Sequence, residues 1–484
     1  MSSDDSPLDN ARHLRYWQRC LRTLLPHQYT ANDSTRMMLG CFCVAATDVL
    51  STQKGAEPVI SARDRKAFRA WVLACQHPGG GFVGGPTHAY PRAVYAGFDF
   101  GGGSVDTGAP GEANIAATLF ALQLLALLAN PADGERSEDK KSEDQKREGA
   151  FLGVNRDATL RWLRRLQRPD GSFGEYVADV PDARAAGGRR PVVGGGADMR
   201  YCYIAAMIRW MLGGGVDTSV PDINVDALVL YMRRGQTYDG GFAESSTHES
   251  HAGYAFCAIA ALELLGRPAE GDPATALSSS ENGRDLFARG IADVPALLRW
   301  LAARTFLYRP EIEEDDDAEW QESIVTEVTP LEVCGNSPLL GFNGRCNKHA
   351  DSCYTWWTVS SLNILERHGY GYGLKDKESK DNWAAKRRFL LEKMQHHIGG
   401  FSKVPGGPPD IYHAYLSLAA LASQGESSLK AFDPAMSVSL DTVRTIEAAR
   451  RGLLRGQGEG GQKRRANLLS LGKACWGETI AIKA

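Results

Sequence analysis

Apolar residues recur at three- and four-residue intervals through much of this chain, while strict alternation is nearly absent. The pattern predicts helices over 160–166, 203–212, 225–232, 254–265, 355–365 and 384–394. The longest apolar run, 115–129, is interrupted by Thr118 and Gln123 and falls short of the roughly 20 residues a bilayer crossing needs, so a buried helix is expected. A loop recurs between helical stretches: Gln76 to Phe82 (QHPGGGF), Gln167 to Phe173 (QRPDGSF), Gln236 to Phe242 (QTYDGGF) and Gln395 to Phe401 (QHHIGGF). A fifth, Asn336 to Phe342 (NSPLLGF), keeps the offset without the glutamine. Glycine before the aromatic permits positive φ and a sharp reversal. Self-similarity of this kind implies stacked helical units that share one core.

The loops are unevenly spaced, at 91, 69, 100 and 59 residues, and insertions account for the longer intervals. Residues 131–149 are almost wholly charged or polar and predict a mobile excursion, with further surface loops at 182–197 and 267–285. Length alone suggests about three domains at ~150 residues each. Repeats that cannot bury their faces separately argue instead for one body spanning 1–484, with a flexible basic tail over 450–484. The acidic run 313–319 (EEDDDAE) reads as a solvated loop. A net charge of −3 and a pI near 6.4 give no overall field for nucleic acid, which is excluded as a partner. Ten unpatterned cysteines and an N-terminus without a basic start and apolar stretch point to reduced thiols and a cytoplasmic location.

Candidate chemistry concentrates in 341–357, GFNGRCNKHADSCYTWW. Asp351 and Cys353 offer an oxygen and a sulfur to one metal, and His413, in GGPPDIYHAYLSL, offers a nitrogen. An Asp-x-Cys pair is equally what a helix-capping aspartate beside a buried thiol looks like. Spacing by itself does not locate a metal.

Three separated motifs in order, SHAGYAFCAIAALELLG at 250–266, GRCNKHADSCYTWW at 344–357 and PPDIYHAY at 408–415, closely resemble the β subunits of protein prenyltransferases. The resemblance runs over about 12–421 and implies a core of that extent and an all-α fold, an α/α barrel (toroid) of repeated helical hairpins with the Gly-Phe loops at one end. It implies one zinc ion on Asp351, Cys353 and His413, with an open position for the thiol of a substrate cysteine. It assigns His251, Arg345, Lys348 and Tyr354 to the diphosphate of a prenyl donor, and Arg200, Tyr203, Tyr254, Cys257 and Trp357 to the isoprenoid cavity. It also implies a partner α subunit in a heterodimer, and as substrates small GTPases of Rho, Rac or Rap type with a C-terminal CaaX sequence.

Departures within the family bear on the donor. Met38, in STRMMLGCF one turn before Phe42, stands where farnesyltransferases keep a cavity-closing tryptophan, which favours the twenty-carbon geranylgeranyl chain. Lys403 stands where farnesyltransferases carry a magnesium-binding aspartate, so Mg2+ is not expected to be required. HLRYWQRCLRTLL and GGGADMRYCY likewise look most like geranylgeranyltransferase type I, whereas Tyr412 is farnesyltransferase-like. A farnesyltransferase is the alternative; a terpene cyclase and a noncatalytic scaffold are more remote ones.

Overall fold

The structure is a computed structural model describing residues 7–52, 58–85, 111–129, 143–184, 188–216, 219–268, 281–308, 339–371 and 377–455. Two kinds of helix sort by the distribution of their apolar residues. Ile115–Ala129 is buried on nearly every side, as are most residues of Met199–Leu212 and Ala252–Gly266. Helices apolar all round belong inside. With Arg36–Leu50, Ser352–Arg367 and Ile411–Ser423 they form six inner helices, each packed on the next and the sixth on the first, which closes a ring. Amphipathic helices such as Asn10–Arg22, Arg156–Arg165, Val225–Arg234 and Val294–Ala302 bury one stripe and form an outer layer. The fold is therefore the all-α toroid, with three two-stranded hairpins as its sheet content among the described residues. Among those residues no helix is long and apolar enough to cross a membrane.

The recurrent glutamine has a mechanical reason. In four loops Gln and Phe face each other as an isolated antiparallel bridge. The Gln236 carboxamide then donates to Asp293 O and accepts from Asp293 N–H, both at 2.8 Å, clasping the residue that caps the next outer helix. Gln167 makes the same pair with Asn224 at 2.8 and 2.7 Å, and Gln76 spans Gly153 O and Asn155 N–H. The last one closes the circle: Gln395 Oε1 lies 2.9 Å from His13 Nε2 on the first outer helix. Gly171, at φ +95°, is needed because a Cβ there would lie 2.0 Å from Ala227 O on the neighbouring outer helix. Gln236→Met should cost about 0.5–1.5 kcal/mol by removing the hydrogen bonds to the Asp293 backbone, read as a lower urea midpoint with unchanged m.

Several sequence-based boundaries move. Phe342 pairs with Thr305, in a hairpin of Thr305–Leu307 and Leu340–Phe342. Thr305 thus stands where glutamine stands in the other loops, and Asn336, at the matching offset, lies outside the described residues. The 182–197 segment is not simply loop, since Arg189–Gly194 pairs along Tyr176–Pro181. Of the 131–149 excursion, Glu143–Glu148 is a helix packed on Leu440–Arg455, with Glu148 ion-paired to Arg455 at 3.0 Å; residues 131–142 lie outside the described set. Of 267–285, Arg267 is buried and a helix begins at Glu281, while 269–280 are outside. The acidic run 313–319 also lies outside.

The core does not stop near 421. Leu440–Arg455 packs on the second and third inner helices, so the basic tail does not start at 450. Arg450 is buried, donating to Trp210 O at 3.1 Å and lying 4.3 Å from the Trp210 ring centroid. The hairpin of Phe432–Asp433 and Val438–Ser439 sends its turn into the ring. Ala435 O accepts from Tyr203 Oη at 2.7 Å, Met436 O from Gln123 Nε2 at 2.9 Å, and Ser437 O from Tyr415 Oη at 2.6 Å. Groups from three inner helices thus meet on one turn, which floors the ring. Arg267, between Glu263 and Asp433, compensates the two buried carboxylates at this end.

Candidate metal centre and substrate cavity

Each Gly-Phe loop feeds into the start of an inner helix, so the capping residues of those helices gather at one end of the ring. Asp198, His251, Asp351 and Asp410 are N-caps, accepting from the N–H groups of Arg200, Gly253, Cys353 and His413 respectively. Asp351 is the cap that the sequence allowed it to be, and it has a second role. Its Oδ1 accepts from Cys353 N–H at 2.9 Å and lies 3.3 Å from His413 Nε2. One ligand atom each from Asp351, Cys353 and His413 falls within 4.8 Å of the others. Two of these residues come from the fifth inner helix and its cap, the third from the sixth.

The electrostatics suit a cation. Burial alone would lower the His413 imidazole, but hydrogen bonds to Asp351 and Asp410 outweigh it and raise it to about 9. Burial disfavours ionised Asp351, yet the His413 hydrogen bond leaves it below the ordinary carboxylate value. Burial drives the Cys353 thiol well above its usual value, with the Asp351 charge adding to the rise. The imidazolium form thus faces a carboxylate at each nitrogen, Asp410 at Nδ1 and Asp351 at Nε2. Asp410 Oδ2 holds Nδ1 at 2.6 Å, which leaves Nε2 facing Asp351 as the nitrogen that could take an ion. One oxygen, one sulfur and one nitrogen with an outer carboxylate on the imidazole fit zinc with an open position.

Around this cluster, His251 Nδ1 accepts from Gly253 N–H at 2.9 Å, so its proton sits on Nε2, 3.1 Å from Tyr354 Oη. Burial, then the Arg345 and Arg200 charges, lowers His251 to about 4, so it is neutral at pH 7. The Tyr354 hydroxyl accepts from it and keeps its own proton to donate. Gly344 makes room for that ring, since a Cβ there would lie 2.0 Å from it. Arg345 Nη1 pairs with Glu249 Oε2 at 2.8 Å, and Lys348 is exposed on the same loop. Lys403 has an exposed side chain, and its carbonyl accepts from Ser352 N–H at 3.1 Å, beside Cys353.

Aromatic side chains from several inner helices meet within the ring. Phe42 lies edge-on to Phe120 at 5.4 Å, stacks on Tyr415 at 4.8 Å and approaches Tyr412 at 6.2 Å. Met38 is partly exposed one turn before Phe42, and Tyr412 stands against the His413 ring at 5.1 Å. Across the ring, Phe256 contacts Trp357 at 5.2 Å, Trp356 at 5.6 Å and Tyr203 at 5.3 Å. Trp357 is partly exposed, whereas Trp356 is buried between Phe256 and Phe432. The Tyr203 hydroxyl is spent on the floor at Ala435, and Cys257 is buried. Arg200 is clamped by Asp198 through Nε, at 3.0 and 2.9 Å, and the Tyr254 hydroxyl reaches Glu244 at 3.4 Å.

A family profile described as the prenyltransferase alpha-alpha toroid domain matches residues 8–438. The chain belongs to the prenyltransferase alpha-alpha toroid family. It is 26% identical over 444 residues to a geranylgeranyl transferase type-1 subunit beta from Arabidopsis thaliana, covering 91% of each chain. Against a protein farnesyltransferase subunit beta from Pyricularia oryzae it is 24% identical over 435 residues, covering 86% of this chain and 63% of that one. Among solved structures, the Candida albicans protein geranylgeranyltransferase-I complexed with GGPP shares the fold at a TM-score of 0.61 and 21% identity, covering 91% of this chain and 98% of that one.

Three residues of this prenyltransferase toroid went unnoticed in the sequence. Asp410 precedes His413 by one helical turn at a helix start, a legible capping signal that also places a carboxylate on the imidazole. Asp198 anchors Arg200 from two residues away. Glu249 gave no signal, because its partner Arg345 is 96 residues distant.

Proposed function

We propose that this chain is the catalytic β subunit of a protein geranylgeranyltransferase type I, acting in the cytosol as a heterodimer with an α subunit. The reaction joins C1 of a geranylgeranyl diphosphate to the thiol sulfur of a C-terminal Cys-a-a-X cysteine, breaks the C1–O and S–H bonds, and releases diphosphate and the thiol proton. The observation that carries the reading is the convergence of Asp351, Cys353 and His413 at the end of the ring opposite its floor. The toroid family and the name of the Arabidopsis relative support it.

Asp351, Cys353 and His413 would hold a zinc ion, which would supply the Lewis acidity that keeps a substrate cysteine as thiolate at neutral pH. Asp410 keeps the His413 proton on Nδ1 and so reserves Nε2 for the ion. Tyr354, its oxygen satisfied by His251, donates to a departing diphosphate oxygen, and Arg345, Lys348 and Lys403 offer positive charge where negative charge develops. The prenyl chain presents only apolar and π surface, which Phe42, Phe120, Tyr412 and Trp357 match. Met38 leaves length for the fourth isoprene unit, and Lys403 makes magnesium dispensable. One specific observation favours farnesyl transfer as the second reading: Tyr412 packs against both Phe42 and His413, at the meeting of prenyl chain and metal. The deciding experiment coexpresses the chain with an α subunit and compares both donors on Cys-a-a-Leu and Cys-a-a-Ser peptides, with and without magnesium. Higher kcat/KM for the twenty-carbon donor, insensitive to magnesium, is expected. Preference for the fifteen-carbon donor with a millimolar magnesium requirement would promote the second reading.

A further inference from the structure

We propose that Glu249 is a resident counter-ion of Arg345 that is exchanged for the diphosphate of the donor and re-formed when diphosphate leaves, so that it sets the affinity of the site for that group. The inference rests on the diphosphate role given to Arg345 above. Ala252 N–H donates to Gly344 O at 2.9 Å, tying the first turn of the fourth inner helix to the loop residue before Arg345. Glu249 stands two residues before His251, the cap of that helix, so the tether brings carboxylate and guanidinium together. Arg345 Nη1 donates to Glu249 Oε2 at 2.8 Å. Both charges also reach the His251 imidazole, with opposite sign, and His251 touches Tyr354. The pair therefore lies beside the donors assigned to the departing group.

The exchange follows from charge and exposure. The side chains are 40% and 53% exposed, and an ion pair of that kind is weak and screened by salt. A diphosphate brings several oxygens and more than one negative charge to the same planar fork, and so displaces a single carboxylate. A carboxylate left at that spot repels the anion and favours its release. No bond is made or broken in the exchange.

The test uses the chain copurified with its α subunit and inorganic diphosphate as the probe in titration calorimetry. Glu249→Gln should tighten the Kd by about two- to fivefold, the scale of an exposed pair. Glu249→Asp, which keeps the charge, should stay nearer the wild type. Donor KM should fall in Glu249→Gln without a rise in kcat. In an Arg345→Gln background the same substitution should have little effect, since the pair no longer exists. Unchanged or weaker diphosphate binding in Glu249→Gln overturns the proposal, as does equal tightening whether or not Arg345 is present. A wild-type complex that binds neither inorganic nor prenyl diphosphate overturns the functional reading together with it. Normal wild-type binding with an indistinguishable Glu249→Gln overturns the inference alone.

Discussion

Replacing Cys353 with alanine is expected to abolish stoichiometric zinc and lower prenyl transfer by about three orders of magnitude, while far-ultraviolet circular dichroism stays helical. A free thiol is only a few per cent thiolate at pH 7, and the loss of fixed positioning adds a further factor of about ten to a hundred. Asp351→Asn and His413→Ala should act alike, because their ligand atoms and Cys353 Sγ share one cluster. The helices should survive, since among the described residues the Cys353 N–H bonds only to its own helix cap and Asp351→Asn retains an acceptor for it. Zinc retention should also fall with acidity. His413 is raised to about 9 in the metal-free chain, so zinc must displace a proton there, and another from the Cys353 thiol. The signs are opposite for the two forms. The His413 proton stabilises the metal-free fold fully below its ordinary value of about 6.5, and that contribution is lost as pH rises toward 9. Zinc binding weakens over the same interval as pH falls. Stoichiometric zinc in purified Cys353→Ala, or zinc affinity independent of pH between 6 and 9, would remove the cluster as the metal centre.

The ring was legible in the sequence because its helices obey one periodicity and its loops repeat one motif. Residues such as 115–129 are apolar on every side, and nothing but an interior position accounts for that. What escaped depends on contacts between distant segments. Thr305 replaces glutamine in the fifth loop, yet the separation between Thr305 and Phe342 hides the pairing from any search at fixed offset. The floor at 435–437 is a short turn of ordinary composition, and only its three inner-helix donors identify it. Arg450 read as the start of a basic tail because a guanidinium on a helix is usually solvated. Here the Trp210 ring and carbonyl replace water. The candidate metal donors lay in view as Asp-x-Cys and a distant histidine, and the residues themselves left a capping aspartate equally open. Asp351 is that cap, and the cap geometry also aims its carboxylate at His413 on the next helix.

Substituting tryptophan for Met38 is expected to turn the donor preference toward the fifteen-carbon chain. Met38 lies on the first inner helix one turn before Phe42, whose ring already meets Phe120 and Tyr412 from two other inner helices. A flexible thioether at that position yields space, whereas an indole is rigid and larger. In the proposed reading the added volume falls on the distal part of a long chain and leaves the reacting carbon where it was. Overpacking costs about 1–3 kcal/mol, so kcat/KM for geranylgeranyl diphosphate should fall roughly ten- to a hundredfold relative to farnesyl diphosphate. Zinc content should be unaffected, because Met38 offers no atom to the Asp351, Cys353 and His413 cluster. Measuring both donors at saturating peptide separates this from simple misfolding, which lowers both rates together. Equal loss on the two donors, or an unchanged ratio, would mean that Met38 does not border the prenyl chain and that its length is set elsewhere in the ring.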